Sequence, residues 1–224
     1  MAALTISRRG WSGPGSASGW GSRLWSTTAP AHPATLGLSL RSMRDGYTFL
    51  VGNATTNGIN PTLFASTMRV KPAQDLTGVS LLAAMPHVLL ASSKLPPNTF
   101  QELIAYAKAR PGEFNYTAPL RILAVSSIRR ATALPRVSTL AEAALPGFDY
   151  AAWAGYLAPA RTPPEIISRL HAEITQAVGQ PDVAEIFVRL GFEVMTGTPD
   201  EFARLIRLDM ARVGSVVREA GIPV

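Results

Sequence analysis

An α/β fold is what this sequence predicts, and three features predict it. Short apolar runs bounded by turn residues read as buried strands. Stretches with apolar residues at helical spacing follow Thr-Pro caps in the last third of the chain. Strands and helices alternate, which indicates a sheet that is at least partly parallel. At 224 residues the chain suits one ordinary domain or two small lobes, with room for a sizeable core.

The elements follow in order from Asp45. Asp45-Gly46 opens a turn, and YTFLVG is a short strand of the buried type. NATTNGINP reads as a polar loop, and PTLFAS as a helix start or a further loop. VSLLAA and HVLLAS are apolar runs broken at Met85-Pro86, as in a strand interrupted by a proline bend. NTFQELIAYAKARPG is a helix capped by Asn98 or Thr99, with Leu103, Ile104 and Ala107 on one face and Pro111-Gly112 as terminator. FNYTA and RILAVSS read as strands. Thr162-Pro163-Pro164-Glu165 and Thr198-Pro199-Asp200-Glu201 both predict a helix start, with Thr as cap, Pro in the first turn and a carboxylate that reaches back to the cap amide. Behind the first, Ile166, Ile167, Leu170, Ile174 and Val178 recur at helical spacing. Behind the second, Phe202, Leu205, Ile206, Val213, Val216 and Val217 do the same.

Composition excludes some chemistry. The chain has no cysteine, so disulfides, thiolate metal sites and a cysteine nucleophile are out. No run approaches the length of an apolar membrane-spanning helix. The net charge of +6 invites a nucleic-acid reading, but its distribution argues against one. Arg8, Arg9, Arg23, Arg41 and Arg44 lie in a stretch, 1–44, with no Asp or Glu, so the remainder is close to neutral.

That opening stretch admits three readings. It resembles a transit peptide in being rich in Arg and Ser. It could be a basic arm whose Trp11, Trp20 and Trp25 stack on nucleic-acid bases. It could be a disordered tail, given WSGPGSASGWGS. ALTI is too short for the apolar core of a secretory signal, so no signal peptide is expected within this chain.

Catalytic constellations are thin. Gly10-Trp11-Ser12-Gly13-Pro14 lacks the second glycine of a nucleophile elbow and precedes no helix. Phosphate-cradling and dinucleotide-binding glycine motifs are absent. His32, His87 and His171 are scattered without metal-ligand spacing, and His171 on its helix reads as solvated or packed. The expectation is a protein without enzymatic activity, catalytic residue, cofactor or metal.

DGYTFLVGNATTNGINPTLF, followed by VSLLAAMPHVLLASSKLPPNTFQELIAYAKARPGEFNY, resembles the solute receptors of tripartite tricarboxylate transporters, the Bug-type periplasmic binding proteins. So do RILAVSSIRR, STLAEAALPGFDYAAWAGYLAPARTPPEII and GFEVMTGTPDEFARLI. The likeness covers about Asp45 to Pro223. It implies a periplasmic-binding-protein-like (type II) two-lobed α/β fold that closes on a small carboxylate and delivers it to membrane transporter subunits. It further implies a periplasmic location, a monomer and no nucleic-acid partner; without a signal peptide, retention in the cytoplasm is the alternative.

Two departures from the family stand out. Codons read from the third base of one residue into the first two of the next, Trp25 through Ser39, permit V-D-N-R-A-G-A-S-G-N-I-G-A-E. Met1 to Thr5 permit G-G-A-N-D. These strings resemble the family's first ligand loop and its later NRxGAxG turn, so residues 1–44 are expected to be out of frame or disordered. The second departure follows Asn115-Tyr116-Thr117-Ala118-Pro119. Family members continue there into a helix start, strands and a further helix, whereas here Leu120-Arg121-Ile122 follows at once. Several dozen residues of the second lobe are expected to be missing, including a helix N-terminus that would hold a ligand carboxylate. The expected division is 1–44, then 45–85 as first lobe, 86–120 as the remnant of a truncated second lobe, and 121–224 as the return.

Of the family's ligand-holding elements, only the loop after YTFLVG survives. Matched residue by residue, Asn53, Thr55, Thr56 and Asn57 are the substrate-binding candidates, with a capped turn into Asn60-Pro61 as the competing structural account. Trp153 matches an aromatic at the crossover between lobes, where hinge or core packing is expected before ligand stacking. The expected function is the substrate-binding component of a carboxylate uptake system, degenerate in this chain. The alternative is a basic nucleic-acid-binding protein that uses its Arg/Trp arm.

Overall fold

The computed structural model describes residues 2–7, 25–30, 46, 48–68, 70–110 and 120–222. Its strands are β1 (Ala2–Ser7), β2 (Trp25–Pro30), β3 (Leu50–Asn53), β4 (Leu76–Pro86), β5 (Val88–Ser92), β6 (Leu120–Val125), β7 (Ala151–Pro159) and β8 (Glu193–Val194). Its helices are α1 (Ala54–Ile59, π-helical), α2 (Asn60–Leu63), α3 (Pro72–Asp75), α4 (Phe100–Lys108), α5 (Leu140–Ala143), α6 (Pro164–Val178), α7 (Pro181–Arg189) and α8 (Pro199–Glu219).

Two compact units result. Unit 1 comprises Met1–Ala83, Trp153–Gln180 and Met195–Val224; unit 2 comprises Ala84–Ala152 and Pro181–Val194. The second unit thus reaches Ala152, beyond the boundary expected at residue 120, and also takes in Pro181–Val194. The reason is pairing: β6 binds β5 rather than returning, so β7 is the strand that leads back.

In unit 1 the strands lie in the order β2-β1-β3-β7-β4. The β1/β2, β1/β3 and β3/β7 pairs are antiparallel, where alternation of strands and helices predicts parallel character. Within the expected out-of-frame or disordered stretch 1–44, residues 2–7 and 25–30 form β1 and β2, paired from Ala2↔Pro30 to Ser7↔Trp25. Trp11 and Trp20 of the proposed nucleic-acid arm lie outside the described residues, as does FNYTA.

Packing follows the apolar periodicity. Phe49, Val79, Ala158, Ile167 and Leu170 form a buried cluster flanked by Tyr156, Ile166 and Ile174. Phe49 meets Tyr156 edge-on, with ring centroids 5.1 Å apart. Each large side chain in this cluster contributes about 1.5–3 kcal/mol through burial. Gly155 on β7 leaves room for the Phe202 ring of α8, since a Cβ there would come within 2.4 Å of Phe202 Cζ and 2.8 Å of the Ser80 carbonyl.

The two predicted caps diverge. At α8, Thr198 Oγ1 accepts from Glu201 N–H at 3.2 Å and a Glu201 carboxylate oxygen accepts from Thr198 N–H at 2.8 Å. At α6, Pro163 occupies the cap position with no side-chain bond. Thr162 instead turns inward and donates its hydroxyl to the Pro159 carbonyl at 2.7 Å. The same buried carbonyl also accepts from the Thr162 backbone N–H at 3.2 Å, so residue 162 closes a turn onto Pro159 in place of capping α6.

Unit 2 holds the antiparallel β5/β6 pair with α4 and α5. Pro86 ends β4 and His87 separates it from β5, as the proline bend predicts. Ser126 ties the entry and exit of this unit together. Its hydroxyl accepts from His87 N–H at 2.8 Å and donates to the Tyr150 carbonyl at 2.6 Å.

Candidate functional site

The candidate site is the turn that follows β3. The expected polar loop NATTNGINP is in fact helical: Ala54–Ile59 makes a π-turn that continues into Asn60–Leu63. The local cause is a reciprocal cap. Asn53 Oδ1 accepts from Thr56 N–H at 3.0 Å, and Thr56 Oγ1 accepts from Asn53 N–H at 3.2 Å. Short π-helical segments are uncommon and concentrate at functional sites.

Behind the turn lies a buried polar layer. Thr56 and Asn57 are both buried, and the Thr56 hydroxyl donates to Asn57 Oδ1 at 2.7 Å. Gly52 makes room for the amide: a Cβ there would come within 2.6 Å of Asn57 Oδ1. Gly58 makes room for Asp209, whose Oδ2 would sit 2.5 Å from a Cβ at that position. Asp209 comes from α8, is itself buried, and accepts from Trp153 Nε1 at 3.0 Å. Burial raises the Asp209 carboxyl above its ordinary value, while the Trp153 hydrogen bond and the Arg212 charge pull the other way.

The sequence candidates therefore separate. Thr56 and Asn57 bond each other beneath the turn, Thr55 is exposed, and Asn53 is half-buried at the cap. Trp153 is buried and meets Phe202 edge-on at 5.2 Å, with its indole N–H directed to Asp209. Its ring is engaged in packing. Asp209 was not singled out from the sequence, although a signal existed. It follows Ile206 by three residues and Phe202 by seven, which places a carboxylate within the buried stripe of α8.

Neutral hydroxyl and amide groups thus dominate the turn, and neither acid nor base stands in its first or last turn. Among the described residues, no cluster of His, Cys, Asp or Glu could hold a metal ion, and no helix is long and apolar enough to cross a membrane. Such a turn can donate hydrogen bonds to an anionic or polar ligand but offers no nucleophile or general base at its surface.

Comparison with known proteins identifies the chain's family and fold. The model of the tripartite tricarboxylate transporter family receptor matches residues 32–119 and 117–222. The UPF0065 protein of the tcbD-tcbE intergenic region of Pseudomonas sp. (strain P51) is 41% identical over 101 residues, 45% of this chain and 30% of that protein. Protein BugT of Bordetella pertussis (strain Tohama I / ATCC BAA-589 / NCTC 13251) is 26% identical over 240 residues, 81% of this chain and 74% of its own. This chain thus spans less than a third of the Pseudomonas relative. Among solved structures, R. palustris Rpa4515 with adipate has a TM-score of 0.70 at 24% identity, covering 84% of this chain and 83% of that one. MatC from Rhodopseudomonas palustris, with bound malate, has a TM-score of 0.67 at 24% identity, covering 84% and 85%. These structures show the periplasmic-binding-protein fold. The nucleic-acid alternative finds no support in these likenesses.

Proposed function

The chain belongs to the tripartite tricarboxylate transporter receptor family, and from that premise we propose that it is built to capture a small carboxylate through the turn after β3. The observation that carries this is the capped π-turn itself. It presents Thr55 to solvent and Asn53 at its rim while Thr56, Asn57 and Asp209 fix it from beneath. The dicarboxylates named with the Rhodopseudomonas structures, adipate and malate, are the ligand class to test first. Function is binding and delivery to membrane subunits, without catalysis, with the periplasm as the working compartment of the family.

In this chain the receptor is degenerate. The alignment with BugT runs over 240 positions but takes up only 81% of 224 residues, so several dozen residues of that relative have no counterpart here. The family match falls into two pieces that meet at 117–119, which supports the reading that the second lobe's ligand-holding helix start has no counterpart there. The out-of-frame reading, which the family match from residue 32 onward confines to the residues before it, would remove the first loop as well.

Thermal-shift titration with adipate, malate and citrate tests both parts. The chain as it stands should give a flat response, and a dose-dependent rise would overturn the degeneracy. A chimera that takes its opening strand, first loop and middle segment from BugT should regain the rise. A chimera that folds cooperatively yet responds to none of the three would overturn the receptor reading.

A further inference from the structure

The turn after β3 and the strand that enters unit 1 meet at one buried carboxylate. The chain passes from unit 2 into unit 1 between Ala152 and Trp153, within β7. β7 pairs with β3 so that Ala154 faces Asn53, the residue that caps the π-turn, and Trp153 stands one step beyond. Trp153 Nε1 donates to Asp209 Oδ2 at 3.0 Å. That same oxygen fills the space a side chain at Gly58 would need, 2.5 Å from its Cβ position. One atom of α8 is thus shared by the turn and the entering strand.

Packing alone does not account for a carboxylate here. Asp209 is 6% exposed and interrupts the buried apolar stripe of Phe202, Ile206 and Val217. Among the described residues the indole N–H is its only hydrogen-bond donor. A buried carboxylate with so few donors carries a desolvation cost that an apolar side chain at that position would not. Its two neighbours leave it little room. The Trp153 ring is held edge-on by Phe202 at 5.2 Å, and Gly58 presents bare backbone, which cannot swing aside as a side chain can. A shift of the turn toward α8 therefore presses on Oδ2, and a shift of Oδ2 strains or breaks the indole bond.

We propose that Asp209 is a positioning residue that couples the conformation of the π-turn to Trp153, where the chain enters unit 1. Its role in function, reporting a carboxylate held at the turn to the entering strand, rests on the turn being the carboxylate site. The coupling itself belongs to the ligand-free chain. Its strength is what a double-mutant cycle reads, since lying between two groups is not by itself coupling.

The test uses the full chain without ligand. Gly58→Ala sets a methyl group against Oδ2 and should shift the Trp153 indole N–H resonance, identified among the four tryptophans by its loss in Trp153→Phe. That shift should vanish in the Asp209→Ala background. Gly147→Ala, in unit 2 with open space around it, should leave the resonance in place. From the other side, Asp209→Ala should speed native-state exchange of the Thr56 amide several-fold more than that of the α6 amides, whereas a merely structural loss speeds both alike. Asp209→Asn, which keeps the acceptor and the shape, should restore slow exchange at Thr56. Gly58→Ala combined with Asp209→Ala places the methyl in vacated space, so the losses in melting temperature should be less than additive. An unmoved indole resonance in Gly58→Ala, additive losses, or equal acceleration at Thr56 and α6 would overturn the proposal. Where Gly58→Ala does not fold, the comparison of Asp209→Ala with Asp209→Asn decides alone. Because no ligand enters, the coupling fails in these measurements and the carboxylate reading fails separately, in the thermal-shift titration.

Discussion

Trp153 Nε1 donates to Asp209 Oδ2 across 3.0 Å, and both side chains are buried. The bond joins β7 to α8 at the point where the carboxylate backs onto Gly58 of the π-turn. Asp209→Ala leaves the indole N–H without its acceptor and should cost about 1–3 kcal/mol in urea unfolding. Asp209→Asn keeps an acceptor and should cost less. The two variants also separate by pH. Burial raises the carboxyl in the folded state, so the folded protein binds this proton more tightly than the unfolded chain. The resulting stabilisation is fully present below the unfolded value, about 4, and is lost as pH rises through the folded one. Asp209→Asn has no proton to lose, so its stability relative to the parent should rise with pH across that window. A constant difference would contradict the assignment.

The helix caps predict an opposite pH slope. Hydrogen bonds from Thr198 hold the Glu201 carboxyl below its ordinary value, and those from Asn98 and Thr99 do the same for Glu102. Both groups therefore contribute stability that is present above the unfolded pKa and lost as pH falls through the lowered one. Thr198→Ala should cost about 1 kcal/mol at neutral pH and less in acid, where the carboxylate partner is protonated. Thr162→Ala should also destabilise, by removing the shorter of the two hydrogen bonds to the buried Pro159 carbonyl, but without that pH dependence. Parallel melts of the two variants at neutral and acid pH decide it. Identical pH responses would mean that Thr162 caps α6 after all.

Gly155 is a steric position rather than a turn. A methyl group there would meet the Phe202 ring and the Ser80 carbonyl, the latter backbone and unable to swing aside. Gly155→Ala should therefore lose about 1–3 kcal/mol by overpacking, read as a lower midpoint with an unchanged denaturant slope. Gly147 has φ +78 and open space around its Cβ position, so Gly147→Ala should show only the backbone strain of a left-handed residue. A Gly155→Ala variant as stable as the parent would mean that Phe202 does not lie on β7.

Much of this arrangement was legible in the sequence. YTFLVG, VSLLAA and the Ile166–Val178 periodicity gave the strands and the helix that form the unit 1 core, because burial of one face leaves a periodic trace. The chain division was less legible. Whether RILAVSS returned to the first lobe or paired with HVLLAS depended on a long-range register that no local pattern encodes, and β6 pairs with β5. Thr162 shows a different limit. Its motif differs from that of Thr198 by Pro164 in place of Asp200, and a proline disfavours helical backbone in the residue before it, so Pro163 stays at φ −52, ψ 136 and α6 begins one residue later. At the candidate site, residue types were readable but their division of labour was not. Asn53, Thr55, Thr56 and Asn57 look equivalent as a string, while a π-turn sends adjacent side chains to opposite environments.

That division of labour gives a test of the turn itself. Thr56 is buried, accepts from the Asn53 amide and donates to Asn57 Oδ1, so Thr56→Ala breaks the cap and leaves a buried acceptor unpaired. It should destabilise by about 1–3 kcal/mol whether or not a ligand is present. Thr55 is exposed, so Thr55→Ala should alter stability by no more than about 0.5 kcal/mol. If the turn holds a carboxylate, Thr55→Ala made in the BugT chimera should weaken adipate-dependent stabilisation several-fold while leaving the ligand-free melting temperature unchanged. The discriminating result is this separation, with ligand response moving at Thr55 and intrinsic stability at Thr56. A chimera whose adipate response is untouched by Thr55→Ala, and by Asn53→Ala after correction for its lost cap, would remove the turn from the binding surface. The carboxylate would then have to be held by the transplanted BugT segments alone.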